Sequence, residues 1–402
     1  MIHQPPAGAR DLLPLEVAQK SWINDRLQDI FSRWGYQRIV TSTIEWLETL
    51  VAKEAITPDK IIQLQQAEGA PLGLRPDLTA SIARAAVTRM SDSSYPQRLC
   101  YRANIFRNPP LGYHGRQLEF FQAGVELLFA GGNLADLEIL LLVADCLEKL
   151  GVSQWQIVLG EVGLTQSLLA PFPSSLRQQV RDCIANLDRV GLEQLSLSPE
   201  LLEQALLIFD LRGNPETVLS KLNQLNLSTS GQKIVNNLQF LCQLISETAK
   251  IPLTLDLSLL QTIDYYSGIT FKILGYTNQQ WQILGQGGRY DQLLEIYHPQ
   301  GESLPGIGFA LNIEALHACL LSTSVLPQQT LPLDWLVIPE NDQAISAAIL
   351  YAQKLRNCKH LVRVELDLGK RDRSTIHAYA RDCNILHLAW VDSQGQAKLE
   401  YL

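Results

Sequence analysis

Residues 97–129 read QRLCYRANIFRNPPLGYHGRQLEFFQAGVELLF. Two runs rich in aromatic and apolar residues, 97–108 and 116–129, flank a centre of proline and glycine, PPLGYHG. That pattern predicts a long antiparallel hairpin with its tip at the centre. A hairpin of this length makes the surrounding sheet antiparallel, so the fold class is α+β. On the second strand Gln122, Gly124 and Glu126 share one face, while Phe121, Ala123 and Val125 share the other. A face carrying Gln, Gly and Glu is by default a solvated sheet surface. The alternative is the floor of a pocket for a small polar ligand. Arg107 precedes the tip and Arg116 follows it.

Working outward, helical spacing of apolar residues runs over 15–34, and Gly35 ends it. A short strand (YQRIVT), a turn or two of helix (IEWLETLV) and a strand pair (IIQLQ and LGLRP) follow. A helix then opens with Asp77 as its N-cap. Beyond the hairpin come a helix over 134–150, a strand in WQIVLG and a largely helical segment over about 172–250. Strands resume at 252–257, 263–274 and 280–284. GQGGRYDQL reads as a glycine turn, and GIGFALNIEALHACL as a strand running into a helix. STSVLPQQTLP has no periodicity and reads as a linker over 322–332. Beyond it, 333–402 alternates strand and helix as a small α/β domain, leaving 1–321 as the main body.

Composition narrows the function classes. A net charge of −8 gives no overall field toward nucleic acid or anionic lipid. The seven cysteines contain no C-x-x-C and read as thiols of a reducing compartment. The seven histidines form no H-x-x-x-H pair, so neither a metal nor a cofactor is expected. The most apolar run, 137–150, is broken by charges and reads as a core helix. The polar, proline-containing start does not read as a signal peptide, so the expected location is the cytoplasm.

Four stretches carry candidate chemistry. LLQTIDYYSGITF, 259–271, reads as a strand with Asp264, Tyr265 and Tyr266 as a pocket wall. The nearest cations, Lys250 and Lys272, lie outside it. GLRPDLTASIAR, 73–84, sets Arg75, Asp77 and Thr79 where a strand meets a helix. Its plain reading is an N-cap beside an ion-paired arginine; the functional one is a carboxylate and hydroxyl facing a ligand ammonium. GQGGRY lacks the third glycine of a dinucleotide loop and the Gly-Lys-Ser/Thr of a P-loop. KRDRS, 370–374, is by default a solvated helix start, with RNA contact as the minority reading.

In this order the pieces resemble one family. IFRN…GRQLEFFQAGVELL resembles the second signature motif of class II aminoacyl-tRNA synthetases. GLRPDLTASIAR, IDYYSGITF, GQGGRYDQL and GIGFALNIEAL are similar to the histidyl-tRNA synthetase branch. The resemblance covers nearly the whole chain. It implies a six- or seven-stranded antiparallel sheet flanked by helices, an anticodon-binding-like C-terminal domain, and a homodimer. It also implies a histidine pocket of Asp77, Thr79 and Gln122 around the α-amino group, Glu126 and Tyr266 at the imidazole, Tyr265 beside them, and Arg107 from the second motif.

The departures point to one branch. Gln261 stands where the synthetases carry an arginine before the DYY stretch, and Ala315 where the third motif carries another. Activation of an amino acid builds charge on phosphoryl oxygens, and loss of one preorganised donor typically costs about 10²–10³ in rate. Asp77 replaces a glutamate, and Ser42 replaces the first motif's proline at the dimer interface. The set resembles the regulatory subunits of ATP phosphoribosyltransferase, which are synthetase-like. That resemblance implies no catalytic residues, L-histidine as effector, a short-form catalytic subunit as partner in a hetero-octamer, and no membrane or nucleic-acid partner. The alternatives are a divergent histidyl-tRNA synthetase and a synthetase-like tRNA-binding module.

Overall fold

The structure is a computed structural model. It describes residues 3–402 except 53–55, 66–68, 92–95, 109–116, 226, 260–264 and 370. The chain divides into two compact units, one of 1–12 and 19–326, the other of 13–18 and 327–402.

The first unit is built on the hairpin. Its strands, Gln97–Phe106 and Glu119–Leu128, pair antiparallel along their whole length, with Tyr101 opposite Gly124 and Leu99 opposite Glu126. Strands Gly306–Asn312, Gln280–Arg289, Ile269–Thr277 and Trp155–Glu161 extend the sheet antiparallel from Glu119–Leu128. Among the described residues the sheet has nine strands, more than the six or seven implied by resemblance, because short strands lengthen both ends. Gln37–Arg38 adds parallel at one end, Leu253–Asp256 adds parallel at the other, and Arg212–Gly213 pairs antiparallel beyond it.

One face of this sheet is covered by helices Pro14–Arg33 and Asn133–Leu150, whose Ile23, Leu27, Phe31, Leu140 and Leu147 join Val125, Phe271 and Phe309 in the main core. Covering that face leaves Gln122, Gly124 and Glu126 on the other, where helix Thr79–Arg89 and Tyr290 pack around a second, smaller core. The 172–250 segment contains helices Ser174–Ala185, Arg189–Gln194, Pro199–Phe209, Pro215–Leu222 and Thr229–Thr248.

Three expectations change. The strand expected at 263–274 begins only at Ile269; Tyr265 to Gly268 precede it, and 260–264, which include Gln261 and Asp264, lie outside the described residues. The local β propensity of ITF starts the strand after Gly268, so the tyrosines stand on an irregular approach to it. GQGGR is no turn: Gly285 to Gly288 are strand residues paired on both sides, and Arg289 pairs with Ile307. Glycine is used there for close approach, since a Cβ at Gly288 would lie 2.9 Å from the Tyr266 ring. Asp77 is not the N-cap residue. Leu78 holds that position, and the Asp77 carboxylate faces the amides of Thr79 and Ala80.

The second unit has a sheet ordered Val364–Leu366, Leu333–Pro339, Ile385–Val391, Ala397–Tyr401. The first three strands are parallel and the last is an antiparallel edge that sequence periodicity missed. Helices Ile345–Arg356 and Arg373–Asp382 cover its faces with separate cores.

Candidate functional site

The polar face of the hairpin is a pocket floor, not a solvated surface. Sheet register sets Tyr101, Gly124, Ala310 and Gln286 in one row across four strands. The next row is Leu99, Glu126, Gly308 and Gly288. The small residues keep the floor low. A Cβ at Gly308 would collide with the Glu126 carboxylate, and one at Gly124 would lie 2.6 Å from the Tyr101 hydroxyl oxygen.

Asp77, Thr79, Arg107, Gln122, Glu126, Tyr265 and Tyr266 all line one cavity over this floor. Tyr101, Gln286 and Tyr290 line it too, and sequence reasoning missed them. A signal for Tyr101 was present, since it alternates along the hairpin onto the face opposite Gly124. Tyr290 and Gln286 depend on long-range strand pairing that no local pattern shows. Of the replaced positions, Ala315 lies in the first turn of helix Ile313–Leu321, where its amide donates to Asn312 Oδ1 at 2.9 Å. Ser42 lies outside the cavity, bonded to the backbone of Ile44.

Two buried carboxyl groups dominate the electrostatics. Glu126 is 2% exposed. Its Oε1 accepts from the Thr79 hydroxyl at 2.8 Å, and its Oε2 accepts from the Tyr290 hydroxyl. Burial pushes Glu126 up to about 8, against those hydrogen bonds, with the nearby Asp77 charge adding to the rise. Burial also raises Asp77, while Arg107 and the amides of Ala80 and Thr79 hold it down. Arg107 donates from Nε to the Pro76 carbonyl at 2.7 Å, so its guanidinium is tied to the strand–helix junction. Burial and the Glu126 charge raise the phenols of Tyr101 and Tyr290 well above their ordinary range. Tyr265 packs edge-on to Tyr266 and Tyr290, with ring centroids 5.0 and 6.0 Å apart. Gln122 Oε1 is buried with no hydrogen-bond partner. The cavity is thus a buried box with two acidic groups, the Arg107 guanidinium, an orphan acceptor and aromatic walls. Its free space, about 30 Å³, is small, and it adjoins an outer cleft of about 380 Å³.

Among the described residues no group of His, Cys, Asp or Glu is arranged to hold a metal ion, and no helix is long and apolar enough to cross a membrane. The KRDRS stretch follows its plain reading where described. Asp372 caps helix Arg373–Asp382, Arg371 pairs with Asp367 at 3.2 Å and Arg373 with Glu400 at 3.2 Å.

The family model for histidyl-tRNA synthetase matches residues 8–316. A Rippkaea orientalis protein named ATP phosphoribosyltransferase regulatory subunit is 61% identical over 100% of both chains. One of the same name from Gloeothece citriformis is 63% identical over 100% of this chain and 99% of its own. A solved structure described as an ATP phosphoribosyltransferase regulatory subunit/histidyl-tRNA synthetase from Bacillus halodurans superposes with a TM-score of 0.80 at 27% identity, covering 94% of this chain and 97% of that one. Histidyl-tRNA synthetase from Nostoc sp. PCC 7120 superposes at 0.79 with 18% identity over 99% and 97% of the two chains, a likeness of fold alone. Full-length identity to the first group and a synthetase fold around the pocket agree: the chain belongs to the family of ATP phosphoribosyltransferase regulatory subunits, built on the histidyl-tRNA synthetase scaffold.

Proposed function

We propose that this chain is the histidine sensor of a cytoplasmic ATP phosphoribosyltransferase and has no aminoacylation activity of its own. The observation that carries the reading is the pair of buried carboxyl groups, Asp77 and Glu126, in one cavity where Arg107 faces Asp77 and Glu126 is bonded by neutral hydroxyls, so that a ligand's cation has an acid to meet. An α-ammonium fits Asp77, Thr79 and the orphan Gln122 oxygen, because a buried ammonium needs charged and neutral acceptors together. An imidazole fits Glu126 and Tyr266, which offer an acceptor and a hydroxyl to its two ring nitrogens. Binding widens the cavity, since about 30 Å³ holds only about two waters. Tyr265 and Tyr266, on the irregular approach to their strand, are the wall that moves.

Ala315 and Gln261 support the absence of aminoacylation, because neither supplies a phosphate countercharge. The partner is a short-form catalytic subunit, joined with homodimers of this chain in a hetero-octamer. Histidine acts by differential affinity for two states of that assembly and so reduces its activity when the product is abundant. Mixing this chain with a short-form catalytic subunit tests the reading. Phosphoribosyl-ATP formation is expected to require this chain and to fall as histidine is added. Formation independent of this chain would contradict it.

The match of residues 8–316 to the histidyl-tRNA synthetase family favours a second reading, a divergent synthetase. Histidine-dependent ATP–pyrophosphate exchange at synthetase-like rates would establish that reading and exclude the first.

A further inference from the structure

Strand Gly306–Asn312 pairs with Glu119–Leu128 only as far as Asn312, which stands opposite Gln122. Beyond that row the chain turns into helix Ile313–Leu321, with Asn312 as its cap. The next amide of the pocket strand, that of Phe121, thereby loses its strand neighbour. It donates instead to both oxygens of Glu314, at 3.1 and 3.3 Å. One carboxylate thus replaces the missing carbonyl and holds the residue next to Gln122.

The Glu314 charge is offset on the helix-covered face of the sheet. Lys20 Nζ lies 3.1 Å from Glu314 Oε1, and the two side chains are 5% and 14% exposed. The same ammonium lies 5.5 Å above the Phe121 ring. Three residues beyond Glu314, His317 joins the same two helices by a bond to Gln19 at 2.8 Å. Release of the Phe121 amide would leave a largely buried carboxylate short of a donor, so the anchor is stiffer than a free strand end. Gln122 is the adjacent residue, and its side chain lies on the opposite face, in the cavity. Its Oε1 has no hydrogen bond to fix it, so the backbone beneath sets its place.

We infer that Glu314 and Lys20 are positioning residues for ligand recognition: the pair fixes the Phe121 amide and so aims Gln122 at the α-ammonium of the ligand. The inference rests on the histidine reading of the cavity and adds two residues that do not line it. An effect passing through Gln122 reaches the ammonium end and spares the imidazole end at Glu126, four residues along the strand.

Titration calorimetry on the full chain reads this split with two probes, L-histidine and imidazolepropionate, the same molecule without its ammonium. The wild type is expected to prefer histidine by about 100-fold or more. Lys20→Met combined with Glu314→Ala removes the acceptor and strands no charge. It is expected to cut that preference about 10-fold or more, while imidazolepropionate binds within about 3-fold of its wild-type affinity. Lys20→Met combined with Glu314→Gln keeps an acceptor for the Phe121 amide and is expected to restore the preference to within about 3-fold of wild type. An unchanged preference in the alanine variant would overturn the inference. So would an equal loss for both probes, which is what a merely structural role gives. Hydrogen exchange in the wild type tests the anchor without a variant. The Phe121 amide is expected to exchange about 100-fold or more slowly than an unstructured amide, and exchange at the unprotected rate would overturn the inference alone. A wild type that binds neither probe would overturn the histidine reading, and the inference with it.

Discussion

Arg289 and Tyr290 are neighbours in the chain, and each serves a buried carboxyl group by opposite means. Arg289 holds Asp136 with Nη2 at 2.6 Å and Nε at 3.0 Å, and both side chains are 8% exposed. Tyr290 gives Glu126 only a neutral hydroxyl, as does Thr79. Burial raises both acids, but at Asp136 a guanidinium pulls the other way. At Asp136 a buried carboxyl group of the scaffold comes with its cation. Glu126 is bonded by neutral hydroxyls instead, in a cavity that also holds the orphan Gln122 oxygen, and this difference is what the proposed ligand cation rests on.

The largest expected effect lies on the structural side of this comparison. Arg289→Met strands the Asp136 charge and is expected to cost about 3–5 kcal/mol in urea denaturation, because removing one partner of a buried pair leaves the other uncompensated. A loss below about 1 kcal/mol would erase the distinction between the two carboxyls.

On the ligand-free side the sign reverses with pH. Glu126 binds its proton more tightly folded, near 8, than unfolded, near 4.5. Its contribution to stability is therefore fully present below the lower value and is lost as pH rises through the upper one. Between them the slope from this group is about −1.4 kcal/mol per pH unit at most. Glu126→Gln removes the titration, so the difference between wild-type and variant stability curves is expected to carry that slope. Parallel curves across the interval would contradict the uncompensated state of Glu126.

Tyr290→Phe is expected to give a smaller change. Loss of one hydrogen bond costs about 1 kcal/mol. Because the Tyr290 hydroxyl holds Glu126 down, its removal also moves the upper inflection of the stability curve to higher pH. An inflection that stays or falls would mean the hydroxyl does not bond the ionised acid.

The parts of this comparison were unequally legible in the sequence. Glu126 and Gln122 could be read because a strand with one covered face repeats every second residue, and the Phe121, Ala123, Val125 series shows which face is covered. Asp77 and Thr79 were legible as a group where a strand meets a helix, though the cap position itself falls on Leu78. Tyr290 was not legible, because its meeting with Glu126 depends on strands 164 residues apart in sequence. The GQGGR stretch misled for a physical reason: glycine favours turns locally, whereas here the sheet uses it to admit the Tyr266 ring above Gly288. The strand Ala397–Tyr401 escaped because its burial alternates only weakly at a sheet edge.

The central claim is that the cavity of Asp77 and Glu126 receives a ligand cation, and that this ligand is histidine. Calorimetric titration of L-histidine into the wild type and into Asp77→Asn and Glu126→Ala variants tests it most directly. The account predicts saturable binding to the wild type with proton release, read as a dependence of the heat on buffer ionisation enthalpy, and about 100-fold or greater weakening in each variant. Equal affinity in all three, or no binding to a folded wild type, would contradict it.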